Sequence, residues 1–273
     1  MSTDEPPPTT EATTAYRLAY EDVDFMQRDE LRSVRLQLEL LKAELIQRDL
    51  GIRSTVVIFG SARIPEPVAA KQQLQTLLEQ RRARPTEVGL ADRIRISRRL
   101  VYKSRYYEEA RLLAQLITEQ SQGKFVVTTG GGPGIMEAAN RGAAEAGGLS
   151  IGMNIALPVE QAPNPYITPE LRFQFHYFAL RKMHFMLRAK ALVAFPGGYG
   201  TLDELFETLT LVQTHKVRPI PILLFGRSFW DRIFDFDALV DEAMISPEER
   251  KLVRHVERAE EAWRIIRDFY GLN

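Results

Sequence analysis

The residues with the clearest chemical potential lie in two glycine-dense segments, residues 130–134 (GGGPG) and residues 197–201 (GGYGT). Glycines allow consecutive backbone N–H groups to approach an anion, and a helix that begins just after them adds the positive end of its dipole. The alternative is that the glycines only turn the chain tightly between a strand and a helix. Because two such segments occur, each after an apolar run, the sequence favours a pocket for a phosphorylated small molecule.

Neither segment fits the common nucleotide-binding fingerprints. A GxGxxG dinucleotide loop that begins at Gly132 would need glycine where the chain has Glu137. A Walker A loop needs Lys followed by Ser or Thr, and neither segment provides this pair. Hydride transfer with NAD(P) and ATP hydrolysis are therefore excluded as predicted functions.

Charged residues near these segments have two interpretations each. Thr201 and Glu204 match the T-x-x-E capping box, in which the glutamate reaches back to the helix start, and spacing alone favours that role. A glutamate in the first helical turn would also lie at the mouth of the pocket. Arg181 and Lys182 form a basic pair near another predicted helix start, which is either a ligand contact or ordinary solvated surface.

The elements that must position these residues alternate between apolar runs and helical segments. Runs that are apolar on both faces are typical of parallel strands covered by helices on each side. The sequence therefore predicts an α/β fold, a doubly wound parallel sheet of the Rossmann-like type. The predicted strands are residues 54–59, 125–129, 149–153, 191–195 and 220–225, with a short one near 253–256, and the predicted helices are residues 108–120, 134–146, 181–190, 202–214, 228–244 and 247–269.

The chain divides into three predicted parts. Residues 1–15 are expected to be a disordered tail, residues 16–50 an N-terminal helical extension, and residues 51–273 the Rossmann-like nucleotide-binding catalytic domain, with an arginine-rich helical insert at about 64–105. The extension carries a heptad-like apolar seam: Leu31, Val34, Leu38, Leu41 and Leu45. We favour an amphipathic helix that lies on its own domain over one that faces a partner.

The amino-acid composition of the chain excludes several classes of function. The 273 residues include 36 basic and 36 acidic side chains, so no basic surplus favours nucleic acid or an anionic membrane. The absence of cysteine excludes disulfides and thiolate metal sites, and the four histidines lack metal-binding spacing, so no metal or cofactor is expected. No apolar run approaches a membrane span, and we expect a cytoplasmic protein.

The motifs resemble those of the LOG family, also described as lysine decarboxylase-like. The family's PGGxGTxxE hallmark is present at residues 196–204, the Arg-Lys pair at Arg181 and Lys182, and matching loops at residues 59–62 and 130–136. This resemblance implies hydrolysis of the N-glycosidic bond of nucleoside 5′-monophosphates, AMP or cytokinin-type nucleotides, to free base and ribose 5-phosphate. It also implies a homo-oligomer.

The resemblance also implies roles for individual residues. Arg181 and Glu204 would be catalytic, and the residues expected to bind substrate are Gly60, Ser61, Gly131, Gly132, Glu160, Lys182, Gly197, Gly198, Tyr199, Gly200 and Thr201. Two features differ from the plant-type pattern: residues 178–180 are Phe-Ala-Leu where that pattern has Met-His before the Arg-Lys pair, and the family core lacks the 64–105 insert. The alternative function is a non-catalytic carrier of a phosphorylated ligand such as molybdenum cofactor. Decarboxylation is disfavoured because no lysine is marked for a Schiff base.

Overall fold

A computed structural model describes residues 14–158 and 162–272 of the chain. Most of the predicted disordered tail, residues 1–13, lies outside the described residues. Among those described, no helix is both long and apolar enough to cross a lipid bilayer.

Seven parallel strands form one sheet, which confirms the predicted fold class. They are β1 (Thr55–Phe59), β2 (Val126–Thr129), β3 (Ser150–Ile155), β4 (Arg172–Phe175), β5 (Ala189–Ala194), β6 (Ile222–Phe225) and β7 (Val253–Val256), in the order β4-β3-β2-β1-β5-β6-β7. The central strands are buried along their whole length, as expected for a sheet with helices on both faces. β4 was not predicted, because alternate residues of this edge strand are exposed.

Helices cover both faces of the sheet. They are α1 (Val23–Met26), α2 (Arg32–Asp49), α3 (Pro67–Ala83), α4 (Leu90–Lys103), α5 (Arg105–Gln120), α6 (Ile135–Glu145), α7 (Phe178–Leu187), α8 (Tyr199–Gln213), α9 (Arg227–Ile233), α10 (Phe236–Asp241), α11 (Pro247–Arg250) and α12 (Ala259–Phe269). Helices α5, α6 and α12 pack on one face, and α2, α7, α8, α9 and α10 on the other.

Two predicted helices are each divided in the structure. The helix expected over residues 228–244 is split into α9 and α10, because the Asp235 side chain accepts hydrogen bonds from the backbone N–H groups of Asp237 and Ala238 and so starts a new helix. The segment 247–269 contains α11, then the short strand β7 that was predicted near 253–256, then α12.

The N-terminal helix α2 lies on its own domain, but not through its predicted seam. Leu38, Leu41 and Leu45 are 52%, 48% and 38% exposed. The helix instead buries Ala43 and Gln47. The favoured interpretation is therefore right about where the helix lies and wrong about which face it buries.

The strand order creates a crevice beside β1. From β1 the chain adds β2, β3 and β4 on one side, and β5, β6 and β7 on the other. In such open sheets, ligands bind at the carboxyl ends of the strands where the order reverses. The backbone N–H of Ser61, after β1, donates to the carbonyl of Pro196, after β5, over 3.0 Å. The two loops that flank the crevice are thus held together.

Candidate active site

The glycine loop after β5 leads directly into the long helix α8. A Cβ atom at Gly197 would collide with the Thr201 hydroxyl, so only glycine fits there. The helix begins at Tyr199 with Gly198 as its N-cap, and no side chain among the described residues caps this end. The first N–H groups of a helix lack intrahelical partners, and here residues 198–200 are exposed. The terminus therefore presents backbone donors and a dipole end that suit a phosphate.

The capping role favoured for Thr201 and Glu204 is wrong. Since α8 begins two residues before Thr201, Glu204 lies in the second turn of the helix rather than the first. Within the described part of the chain no side-chain hydrogen bond caps the helix, and Glu204 is only 5% exposed. Its carboxylate is turned into the protein instead of back towards the helix start.

The glycine loop after β2 is held by a buried polar network. Asn164 Nδ2 donates to the carbonyls of Gly131 and Gly132 over 3.2 and 3.1 Å and to Asn140 Oδ1 over 2.9 Å. Thr129 Oγ1 donates to the same Asn140 oxygen over 2.7 Å. Satisfied buried networks of this kind rigidify the segment they hold. Asn164 could not be recognised from the sequence, because its partners lie 24 to 33 residues away.

Close backbone packing joins this loop to the loop after β1, which is itself bonded to the loop after β5. Gly134, with a φ of +71°, packs against the carbonyl oxygen of Ser61, which would lie 2.5 Å from a Cβ atom there. The N–H of Ile135 donates to the same carbonyl over 3.2 Å. A Cβ atom at Gly60 would lie 2.6 Å from the Ile135 side chain. The loops after β1, β2 and β5 therefore form one continuous edge.

Arg181 is anchored at this edge from helix α7. Its Nε donates to the carbonyl of Met153, in β3, over 2.7 Å. Its Nη2 lies where a side chain at Gly130 would be, 2.7 Å from the position of a Cβ atom. Its guanidinium carbon is 5.1 Å from the centre of the Phe185 ring. The side chain is thus fixed against the β2 and β3 ends of the crevice.

Glu204 and Arg181 influence each other's ionisation. Burial raises the pKa of Glu204 to about 7, although the positive charges of Lys182 and Arg181 act in the opposite direction. Burial also lowers the pKa of Arg181, and the negative charge of Glu204 opposes that shift. A carboxyl that is half-ionised near neutral pH can accept or donate a proton or stabilise positive charge.

Lys182 connects helix α7 to helix α8. Its Nζ lies 2.9 Å from Asp203 Oδ1 and 3.0 Å from Glu207 Oε2. These carboxylates lie on either side of Glu204 in the sequence. The structure therefore places Lys182 in an ion-paired cluster beside the buried acid.

The predicted site residues that the structure describes converge along the carboxyl edge of the sheet. Glu160 lies outside the described residues. Gly60 and Ser61 follow β1, Gly131 and Gly132 follow β2, and the residues from Gly197 to Thr201 follow β5. Arg181 and Lys182 reach the edge from α7 and Glu204 from α8. Within the described parts of the chain, no group of three or more His, Asp or Glu side chains is arranged to hold a metal ion.

Comparison with known proteins gives one family and several relatives. The model of the family described as "Possible lysine decarboxylase" matches residues 136–266. The resemblance to the LOG family is therefore confirmed. The matched segment contains Arg181, Lys182 and the PGGxGTxxE hallmark.

Curated LOG-family relatives are plant proteins of modest identity. The chain is 36% identical over 90 residues to the cytokinin riboside 5′-monophosphate phosphoribohydrolase LOG7 of Arabidopsis thaliana. It is 31% identical over 155 residues to LOGL5 of Oryza sativa subsp. japonica, a probable cytokinin riboside 5′-monophosphate phosphoribohydrolase. These matches cover 33% and 55% of this chain, and 42% and 61% of the relatives' lengths. Arabidopsis LOG2 is 26% identical, with 61% of this chain and 78% of the relative covered.

Solved structures of similar fold have low identity to this chain. A crystal structure from a structural genomics consortium aligns with a TM-score of 0.46 and 20% identity, over 79% of this chain and 99% of the other. The molybdenum cofactor carrier protein of Chlamydomonas reinhardtii aligns with a TM-score of 0.45 and 17% identity, over 80% and 99%.

Proposed function

We propose that the protein hydrolyses the N-glycosidic bond of nucleoside 5′-monophosphates to free base and ribose 5-phosphate. One observation carries the proposal: a buried glutamate with a pKa of about 7, Glu204, is influenced by the charge of Arg181 and lies in the second turn of a helix whose exposed start can hold a phosphate. The activities named for the LOG relatives support it. AMP and cytokinin-type nucleotides are the proposed substrates.

The glycine loops supply positioning in this proposal. The 5′-phosphate would accept hydrogen bonds from the N–H groups at the start of α8, at Tyr199, Gly200 and Thr201. Binding energy from a phosphate that does not react can be used to hold the ribose against Glu204. Since Glu204 is on the same helix, the distance from the anion site to the acid is fixed by helical geometry.

The chemical step follows from the charges in the site. Breaking the bond between ribose C1′ and the base nitrogen develops positive charge on the sugar, as in glycoside hydrolysis. The Glu204 carboxylate would stabilise that charge and accept a proton from the attacking water. The water oxygen bonds to C1′ as the bond from C1′ to the base nitrogen breaks, and the electron pair of that bond stays with the base. The base nitrogen gains one proton from solvent, and Glu204 returns to solvent the proton that it took from the water. Arg181 would favour departure of the base through its positive charge.

We also propose that the protein acts as a homo-oligomer. The support is the exposed apolar seam of α2, which continues onto Met183 and Leu187 of α7, 42% and 50% exposed. Large contiguous apolar patches commonly mark protein–protein contacts.

The first test is release of free base from a panel of nucleoside 5′-monophosphates, followed by chromatography. Wild type should release base from at least one of them, and Glu204→Gln should lower kcat by a factor of about 100 or more, because a general acid–base group contributes that much. Glu79→Gln, an exposed change on α3, should keep the wild-type rate.

Two results would contradict the hydrolase. One is the absence of base release from every common nucleotide. The other is full activity of Glu204→Gln. Tight binding without turnover, or a pterin chromophore in the purified protein, would favour the carrier function instead.

A further inference from the structure

A cavity of about 620 Å³ separates the inserted helix α4 from the glycine loop after β5. Arg99 and Lys103 of α4 line one side, and Arg63, from the loop after β1, lines it as well. The loop contributes Gly197 and Tyr199 to the opposite side. Arg181 and Glu204 are not part of this lining. The cavity therefore adjoins the proposed phosphate loop without including the proposed catalytic pair.

The lining of the cavity has an unbalanced charge. Its described residues include three basic side chains and no acidic one. Among the residues that the structure describes, Arg63, Arg99 and Lys103 have no carboxylate within ion-pair distance, whereas the nearby Arg111 and Arg141 are paired with Glu145. Like charges that converge without counter-charges raise the local positive potential and attract anions. The walls of the cavity are therefore suited to bind an anion.

Lys103 is the most enclosed of the three cations. It is half-buried, and its Nζ lies 4.7 Å from the centre of the Phe229 ring. Burial, together with the positive charges of Arg99 and Arg232, lowers its pKa. An anion between Lys103 and Arg99 would remove that repulsion, so binding of an anion and full protonation of Lys103 would support each other.

The helix that supplies two of these cations lies outside the family match. The matched residues begin at 136, whereas α4 ends at Lys103. The cavity is thus formed between a matched loop, at residues 197–199, and an element specific to the unmatched part of this chain. We therefore expect the cavity to bind a part of the ligand that the matched region could not bind by itself.

We propose that Arg63, Arg99 and Lys103 form a second anion subsite, which binds the β-phosphate of a nucleoside 5′-diphosphate. This inference rests on the proposed function, which holds the phosphate attached to ribose at the start of α8. Residues 197–199 line the cavity as well. The β-phosphate of the nucleotide can therefore extend into the cavity when the α-phosphate is bound at the start of α8. Nucleoside 5′-diphosphates are then substrates or tight ligands in addition to monophosphates.

The test compares binding of ADP and AMP by calorimetry, in Glu204→Gln protein so that the ligands stay intact. ADP should bind about tenfold more tightly than AMP, which corresponds to about 1.4 kcal/mol. Adding Arg63→Ala and Arg99→Ala should abolish this preference and leave AMP affinity unchanged. Arg98→Ala, an exposed change on α4 outside the cavity lining, should preserve it. Unchanged melting temperatures would show that the variants are folded.

Equal affinity for ADP and AMP, or a preference that survives the double substitution, would overturn the subsite. Base release from both nucleotides by the wild-type protein separates the two proposals. If ADP binds more tightly but no nucleotide of the panel loses its base, the subsite stands and the hydrolase does not. If AMP is cleaved and ADP has no advantage, the hydrolase stands and the subsite does not.

Discussion

Glu204 is held in surroundings that oppose its negative charge. It is 5% exposed, and the two nearby cations only partly offset the cost of its burial, so its pKa is raised to about 7 from an ordinary 4.5. A buried ionisable group lowers the free energy of unfolding, and such destabilising groups are typical of catalytic sites. The neighbouring carboxylates Asp203 and Glu207 share Lys182, which leaves less of that positive charge for Glu204.

This raised pKa predicts a specific pH dependence of stability. The folded state binds the Glu204 proton more tightly than the unfolded state, so its contribution is fully present below about pH 4.5 and is lost as pH rises towards 7. Glutamine cannot ionise. Relative to wild type, Glu204→Gln should therefore gain about 2 kcal/mol in the free energy of unfolding between pH 5 and pH 8.

Urea unfolding of both proteins at the two pH values measures this difference. Glu79→Gln, whose side chain is exposed, is the matched control and should show the same difference from wild type at pH 5 and pH 8. A Glu204→Gln effect that is equal at the two pH values would mean that the carboxyl is not perturbed by burial.

At the scale of elements, helix α2 holds both ends of α7, which carries Arg181 and Lys182. Before α7, the N–H groups of His176 and Tyr177 both donate to the Glu39 carboxylate over 3.0 Å. After it, Arg188 makes two hydrogen bonds of 2.7 Å to Glu44. A carboxylate near a helix start also interacts favourably with the helix dipole. The N-terminal extension therefore positions residues that lie far away in sequence.

Loss of this contact should reduce catalysis as well as stability. Glu39→Ala should lower the free energy of unfolding by about 1 kcal/mol, the usual cost of losing a capping side chain. Because Arg181 and Lys182 would be held less firmly, kcat for base release should fall by about fivefold or more, since small misplacements of catalytic groups are costly. Steady-state kinetics measures kcat and KM separately.

The matched control is Glu30→Ala, which removes an exposed carboxylate from the same extension. Its kinetics should equal those of wild type. If Glu39→Ala lost stability and kept the wild-type kcat, α2 would only cover the domain and would not position the site.

The elements that could be predicted from sequence are those whose burial leaves a local pattern. β1, β2 and β6 are apolar on both faces, and the glycine loops follow directly from them or from β5. β4 and the bracing of α7 leave no such pattern. In β4 only alternate residues are buried, and Glu39 meets its partners 137 and 138 residues along the chain. The T-x-x-E spacing misled the interpretation of Glu204, because two glycine-loop residues already belong to the helix.

Across the whole molecule, charge is balanced in total but not in distribution. The 36 basic and 36 acidic side chains cancel, yet the described charged residues that line the cavity beside the glycine loop are all cations. A neutral molecule with local basic cavities attracts small anions at those places and has little general affinity for a polyanion. This distribution suits a nucleotide ligand better than a nucleic acid.

The apolar surface of α2 and α7 gives the last prediction. Leu41, Met183 and Leu187 line one groove of about 630 Å³, and Leu38 lies one helical turn from Leu41 on the exposed side of α2. A second copy of the chain would bury this surface, whereas an isolated subunit leaves it in water. Light scattering should therefore give a mass of at least twice 31.2 kDa for wild type.

Leu38→Glu with Leu41→Glu should give a single subunit, because two buried unpaired charges would oppose the contact. Val88→Glu, at a residue 97% exposed on the insert, should leave the mass unchanged. A wild-type protein that is monomeric at micromolar concentration would contradict the oligomer, and a double variant that keeps its mass would place the contact on another face.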